Sequence, residues 1–464
     1  MGAQPMWGAG GPDLARAFEA ARAASPFRRT GRVRQVVGLA VESRGPSARI
    51  GEVCSLRTSA GPPEIFAEVV GFRDRDVLLL PLGDMEGIEA GSTVVAHGRP
   101  LQVGVGPGLL GRVVNAFGQP IDNHGPILVE RFQPLVSSAP GPLDRTRVTH
   151  VLGLGVRAID GPLTCGKGQR IGIFAGSGVG KSALLGMVAR NTSADVNVIA
   201  LVGERGREVR EFIERDLGDG LERSVVVVAT SEQPPLVRLK AAFAATTMAE
   251  YFRDEGHDVM LMMDSITRAA TARREVGLAV GEPPTTRGYT PSVFAMLPQL
   301  LERAGTSRAG TITGLYAVLV EADDLTEPVA DSLKAILDGH IVLSRRIASE
   351  GRYPAVDVLA SVSRVMNDIV SPEHRAAANA LRSVLATYAE HEDLIAIGAY
   401  QRGTNPGIDD AVARVGEVRS YLSQGLGERA HADDSLRALL ELFPGAHKAA
   451  GEEIASGIRP AEGA

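Results

Sequence analysis

The sequence predicts an α/β protein with a small N-terminal β-barrel, a central domain on a mainly parallel sheet, and a helical C-terminal domain. Residues 31–98 are short β-branched and aliphatic runs broken by Gly, Pro and Asp, the pattern of a small all-β barrel or sandwich. Residues 99–370 alternate nearly continuous apolar runs with helical ones, as strands covered on both faces require. Residues 371–464 read as helical throughout. A chain of 464 residues is too long for one core, so several domains are expected.

The elements follow in order. Residues 1–30 are rich in Gly, Ala and Pro, and within them "PDLARAFEAARAA" sets Leu14, Phe18 and Ala21 at helical spacing behind Asp13 as an N-cap. That segment reads either as a frayed tail or as a short amphipathic helix that docks a partner. The barrel strands are "GRVRQVVGLAVES", "ARIGEVCSLRT", "IFAEVVGFRDRDVLLLPL" and "STVVAHG". The sheet strands are "QRIGIFA", "VNVIALVG", "SVVVVAT", "DVMLMMDS", "TITGLYAVLV" and "HIVLS". The helical run includes "PEHRAAANALRSVLATYAEHEDLIA" and "IDDAVARVGEVRSYLSQGL". No internal repeat or low-complexity block interrupts this order.

Composition narrows the function. The formal net charge of -6 gives no general attraction to nucleic acid or anionic membrane. Aromatic residues make up 4% of the chain, too few for a platform that stacks single-stranded bases. Cys54 and Cys165 are far apart and read as buried reduced thiols of a cytosolic protein. No apolar run approaches the roughly 18 residues of a membrane span. The N-terminus lacks the basic-then-apolar pattern of a signal peptide, and Met6 stands where a myristoylation motif wants Ser or Thr.

The stretch "GIFAGSGVGKSALLGMVAR", residues 172–190, carries the chemistry. An apolar strand ends in Gly176, Ser177, Gly178, Val179 and Gly180, and a helical pattern starts at Lys181 and Ser182. Glycines between strand and helix let backbone N–H groups converge on an anion, and the helix N-terminus adds positive partial charge. Lys181 adds a full charge for β/γ-phosphates, and Ser182 offers a hydroxyl to Mg²⁺. Ala175 stands where the usual P-loop begins with Gly, a conservative departure. "DVMLMMDS", about 80 residues on, ends five apolar residues in Asp264, the strand-end carboxylate expected to support Mg²⁺. "VNVIALVGERGREVREF" ends a strand in Gly203-Glu204-Arg205. A strand-end Glu204 can polarise an attacking water, or it can be an ordinary charge at a helix start.

These motifs resemble those of a known family. "AGSGVGKS", "GERGREV", "DSITR", "GEPPTTRGYTPSVFAMLPQLLERAG", "DDLTEPVADSLKAILDGHIVLSR" and "YPAVDVLASVSRVM" are similar to stretches of the ATPases of bacterial type III export systems, relatives of the rotary ATP synthase catalytic subunit. "LTCGKGQRIGIFAGSGVGKS" and "GRVRQVVGLAVES" look most like the flagellar branch. The resemblance spans about residues 30–450. It implies a RecA-like nucleotide-binding domain over 99–370, ATP and Mg²⁺ as cofactors, and a homohexamer with active sites between subunits. It implies that Lys181 and Ser182 hold phosphate and metal, Glu204 activates water, and Asp264 supports the metal. Arg205 and Arg268 resemble arginines on the γ-phosphate side. Tyr353 resembles the residue that stacks on adenine, and Tyr400 one that closes the same pocket. Arg364 resembles an arginine finger reaching the neighbouring subunit's site. The implied partners are a dimeric negative regulator at residues 1–30, a stalk protein and export gate, and export substrates with their chaperones. The implied place is cytoplasmic, peripheral at the base of the export apparatus.

Three other functions compete. A proton-driven ATP synthase subunit would share the catalytic residues, but its "DELSEED"-like acidic stretch is absent and "GEPPTTRGY" matches the export branch. A non-catalytic subunit resembles "GQ" where this chain has Gly203-Glu204. A hexameric RNA or DNA motor fits poorly with net acidity and few aromatics. An injectisome ATPase stays open beside the flagellar one.

Overall fold

The computed structural model describes residues 29–58, 64–320, 324 and 326–445. The expected docking helix with Leu14 and Phe18 lies outside the described residues. The chain folds as two compact units divided between Leu101 and Gln102.

The first unit is a closed antiparallel barrel. Its strands are β1 (Thr30–Val37), β2 (Ala40–Arg44), β3 (Glu52–Arg57), β4 (Ile65–Arg73), β5 (Asp76–Pro81) and β6 (Thr93–Pro100). They pair in the order β1-β2-β5-β4-β3-β6, and β6 returns to β1. Closure leaves no strand edge unpaired, which suits strands this short. Val33, Val41, Cys54, Leu56, Val69, Leu79 and Val94 fill the interior.

The second unit is built on a largely parallel sheet. Its strands are β7 (Arg112–Asn115), β8 (Arg170–Ala175), β9 (Val196–Glu204), β10 (Ser224–Thr230), β11 (Asp258–Asp264), β12 (Thr311–Leu319), β13 (Gly339–Leu343) and β14 (Val356–Ser363). The order across the sheet is β14-β13-β8-β12-β11-β9-β10-β7, and a two-residue strand at Gly305–Thr306 pairs with β12. Every neighbour pair from β13 to β7 is parallel, whereas β14 runs antiparallel to β13. All nine residues of β9 are buried, as a central strand covered on both faces demands.

Helices α1 (Lys181–Asn191), α2 (Pro235–Asp254) and α3 (Ile266–Ala279) belong to the crossovers, and α4 (Pro372–Ala396), α5 (Pro406–Leu422) and α6 (Ala432–Leu442) follow the sheet. Ser371 caps α4 by accepting from the His374 N–H, and Asn405 caps α5 by accepting from Gly407 and Ile408. Leu381, Val384, Val415, Val418 and Leu439 of these helices join one core with Ile173, Leu185 and Ile341. Cys54 and Cys165 are free and buried. No helix among the described residues is long and apolar enough to cross a membrane.

Candidate functional site

Parallel strands bring their carboxyl ends to one side of the sheet, and helix N-termini follow there. Ala175 ends β8, Leu319 ends β12, Asp264 ends β11 and Glu204 ends β9, so four adjacent strands finish together. The glycine loop joins β8 to α1. Gly178 has φ +79° and Gly180, which caps α1, has φ +89°, a left-handed conformation that glycine adopts without steric cost. A Cβ on Gly178 would meet nothing within 4 Å, so the outer face of the loop is open. Val179 is buried beneath it and Ser177 and Ser182 are exposed.

Lys181 points at the two strand-end carboxylates. Its Nζ donates to Asp264 Oδ1 and lies 3.7 Å from Glu204 Oε1. Asp264 and Glu204 are themselves buried. Burial pushes the Glu204 carboxyl up to about 7, the Asp264 carboxylate adds to the rise, and Lys181 opposes it. Glu204 Oε2 accepts from Arg268 Nη2 at 3.3 Å, and Arg268 Nη1 donates to the Gly203 carbonyl. Gly203 has φ +70°, and a Cβ there would stand 2.9 Å from Arg268 Cδ, so the glycine makes room for the arginine. Ser265 caps α3 through the Arg268 N–H, and Thr267 Oγ1 accepts from the Leu319 N–H at 2.9 Å, tying α3 to the end of β12.

The ring of Tyr353 flanks the loop, because a Cβ on Gly180 would be 3.5 Å from Tyr353 Cδ1 and Cε1. Tyr353 is 42% exposed, enough to offer a face to a ligand.

The structure thus gathers Gly176–Ser182, Glu204, Asp264, Arg268 and Tyr353. It leaves three expected residues elsewhere. Arg205 is exposed and pairs with Glu208 at 3.4 Å. Tyr400 is held in the connection between α4 and α5, donating to Asn405 O and Asp409 Oδ1 at 3.0 Å each. Arg364 follows β14, whose last residue Ser363 is paired with Gly339 at the start of β13. Because β14 is antiparallel, Arg364 stands at the opposite end of the sheet from the glycine loop. Its N–H donates to Asp338 O at 3.0 Å and its Nη2 to Lys334 O at 3.1 Å. Glu208 was not singled out from sequence. Its carboxyl is held below the ordinary range, chiefly by the neighbouring Glu204 carboxyl and also by the Arg205 guanidinium. No sequence period marked it, because Glu204 ends a strand and Glu208 lies in the helical turn that follows.

The donor set fits a nucleotide with Mg²⁺. The loop is open, Lys181 supplies the cation for phosphate, and Glu204 Oε1 is buried yet accepts no hydrogen bond. Ser182 and Asp264 supply two oxygens, which suits Mg²⁺, an ion bound by few protein ligands beside phosphate and water.

A glycine loop between strand and helix, with strand-end carboxylates around its lysine, defines a P-loop nucleotide-binding protein. Comparison with known proteins narrows this class. Residues 33–98 match the ATP synthase alpha/beta family beta-barrel domain, 155–363 that family's nucleotide-binding domain, and 370–441 the T3SS EscN ATPase C-terminal domain. The chain is 55% identical over 420 residues to the flagellum-specific ATP synthase of Bacillus subtilis (strain 168), covering 90% of this chain and 95% of that one. It is 51% identical over 413 residues to the type 3 secretion system ATPase of Xanthomonas euvesicatoria, covering 89% and 93%. The solved structure of the assembled ATPase EscN from enteropathogenic E. coli superposes with a TM-score of 0.84 at 44% identity, over 89% of this chain and 99% of that one. EscN has also been solved with its central stalk EscO, with a TM-score of 0.83. The chain belongs to the ATP synthase alpha/beta family, in the branch of flagellar and type III secretion ATPases.

Proposed function

We propose that this protein hydrolyses ATP with Mg²⁺ as a homohexameric ring and so energises export of flagellar proteins through a type III secretion apparatus. The observation that carries the reading is the meeting of Lys181, Asp264 and Glu204 at the carboxyl ends of neighbouring parallel strands beneath the open glycine loop. Loop N–H groups and Lys181 bind the phosphates, and the Tyr353 ring stacks on the adenine. Ser182 and Asp264 hold Mg²⁺, which when bound neutralises developing phosphate charge. Glu204 orients the attacking water and takes its proton, and Arg268 holds that carboxylate from behind. Arg364 serves the neighbouring subunit, a reading supported by its distance from its own loop. The six residues of β8, at about 3.3 Å each, put roughly 20 Å between the two ends of the sheet.

The division into 1–30, 31–98, 99–370 and 371–464 belongs to the same reading. The first segment docks a dimeric negative regulator, and the ring meets a stalk protein, the export gate, and substrates with their chaperones. It works in the cytoplasm, peripheral to the inner face of the membrane. The relative EscN, solved assembled and with a stalk, supports the ring and the stalk.

Glu204→Gln tests the chemistry. The variant keeps the loop and Lys181, so a fluorescent nucleotide still binds, while phosphate release drops by about 10²–10⁴. Near wild-type hydrolysis would remove Glu204 from the role of water-activating residue. Deleting residues 1–25 tests the docking segment. ATPase rate is expected to persist and regulator pull-down to be lost; an unchanged pull-down would end that assignment.

A further inference from the structure

Gln424 follows α5 and is buried, with 4% of its surface exposed. A buried amide needs partners for every donor and acceptor, and this one has them. Its Oε1 accepts from the Arg157 N–H at 2.9 Å. Its Nε2 donates to Gly155 O and to Glu428 O, both at 3.0 Å. Only one orientation of the amide satisfies this set, since the flipped one would aim NH₂ at an N–H and an oxygen at two carbonyls. The Gln424 backbone N–H then donates to Tyr353 O at 2.8 Å.

The segment around it is pinned from several sides. Arg157 Nε donates to Tyr421 O at 3.0 Å, its Nη2 to Ser423 O at 2.6 Å, and its Nη1 pairs with Glu428. Arg190, in the last turn of α1, donates to Leu426 O at 2.7 Å. The Gly155–Arg157 turn is fixed in turn by Asp160, whose carboxylate accepts from the N–H groups of Leu154 and Gly155 at 2.8 Å and of Val156 at 3.2 Å. Gln424 is therefore the knot that joins this turn and the end of α5 to the carbonyl of Tyr353.

We infer that Gln424 is a positioning residue for the nucleotide base: it fixes where the Tyr353 ring stands against Gly180, and so sets affinity for ATP without touching the phosphates. The inference rests on the stacking role proposed for Tyr353. Loss of the amide keeps the backbone N–H that holds the Tyr353 carbonyl but removes the side-chain bonds that fix where that N–H stands, so the Tyr353 ring shifts against Gly180. The interaction weakened is the same in ground and transition states, so KM moves and kcat does not.

The experiment uses the full-length assembled protein and measures ATP hydrolysis together with inhibition by tripolyphosphate, a probe with phosphates and no base. Gln424→Ala is expected to raise the KM for ATP about tenfold, keep kcat within about twofold, and leave the Ki of tripolyphosphate unchanged. Tyr353→Ala is expected to show the same split, and the double variant to be no worse than Tyr353→Ala alone, because Gln424 acts through that ring. If Gln424→Ala does not fold, Gln424→Asn keeps a buried amide with shorter reach and the same split is read on it. Additive effects in the double variant, or a Ki for tripolyphosphate that rises with the KM, would overturn the inference by showing a general structural role. An unchanged KM in the Gln424 variant beside a raised one in Tyr353→Ala would overturn it while the stacking role stands. No change in either variant would overturn both.

Discussion

Lys181 sits between two buried carboxylates, and that placement fixes what pH does to the enzyme. The base form of Glu204 is the ionised one. Burial and the Asp264 charge raise its pKa to about 7 from an ordinary value near 4.5, so ionisation is complete only above neutrality. The pH profile of kcat/KM is accordingly expected to fall on the acid side from about pH 7, well above where an exposed carboxylate would titrate. Phosphate release from pH 5.5 to 9 checks this, and the residual activity of Glu204→Gln should lack that limb. A kcat/KM profile flat down to pH 5.5 would show that Glu204 is not raised in the free enzyme, whereas a flat kcat beside a falling kcat/KM would mean that bound nucleotide restores the carboxyl to its ordinary range. At this scale much of the site was legible. Strand ends and the glycine loop are written in runs of apolar and small residues, so Lys181, Ser182 and Asp264 could be picked by position. Glu204, open on position between a water-polarising base and an ordinary helix-start charge, could be picked only with the family resemblance. The partners of each side chain could not. Arg205 and Arg268 look alike in sequence, yet one turns outward to Glu208 and the other lies over Gly203 against Glu204. Rotamer and neighbour decide that, and neither has a sequence period.

Among the elements, the short edge strand β7 shows how a weak segment is held. Asp122 accepts from Arg112 Nε at 2.8 Å and Nη2 at 2.9 Å, and from the N–H groups of Val113 and His124 at 3.0 Å each. The Arg112 guanidinium holds the Asp122 carboxyl far below the usual range. A carboxyl whose folded pKa is depressed stabilises the fold above its unfolded pKa of about 4, and the contribution is lost as pH falls below that. Asp122→Ala is therefore expected to lose about 2 kcal/mol at pH 7, and the deficit to shrink between pH 4 and pH 3. Urea midpoints across that range read it, and a deficit independent of pH would show that packing, not charge, is lost. The buried parallel strands were legible because continuous apolar runs admit little else. β7, at four residues, was too short to register. The direction of β14 was also hidden. Its alternation marks a half-exposed strand, but direction is set by the connection from Leu343 to Val356, which holds only a short helix, Arg345–Ser349, and turns the chain back.

For the whole molecule, the role proposed for Arg364 makes each site depend on a guanidinium from the neighbouring subunit. An arginine finger is worth about 10³–10⁵ in rate. Specific activity is therefore expected to rise with protein concentration as rings form. Arg364→Ala and Lys181→Ala proteins, each inactive alone, are expected to regain part of their activity when mixed, since some interfaces then pair an intact loop with an intact finger. Recovery is expected to be partial, since in a ring with coupled sites one dead site would stall the rest. The size of Arg364→Ala with a non-hydrolysable nucleotide separates chemistry from assembly: a normal ring without turnover supports the finger. Concentration-independent activity with no rescue on mixing would refute the shared site.

The reversal of β14 has one more consequence. Tyr353 stands just before the strand and Arg364 just after it, at opposite ends of one stiff ladder of hydrogen bonds. With the roles proposed for them, one end of the strand senses the base in its own subunit while the other reaches toward a single neighbour. On those roles, any tilt of the strand on nucleotide loading would be passed to the subunit on one side and not to the one on the other. A ring of identical chains joined in that way would pass each such signal in the same sense around the ring, so the order in which its sites fire would have a direction.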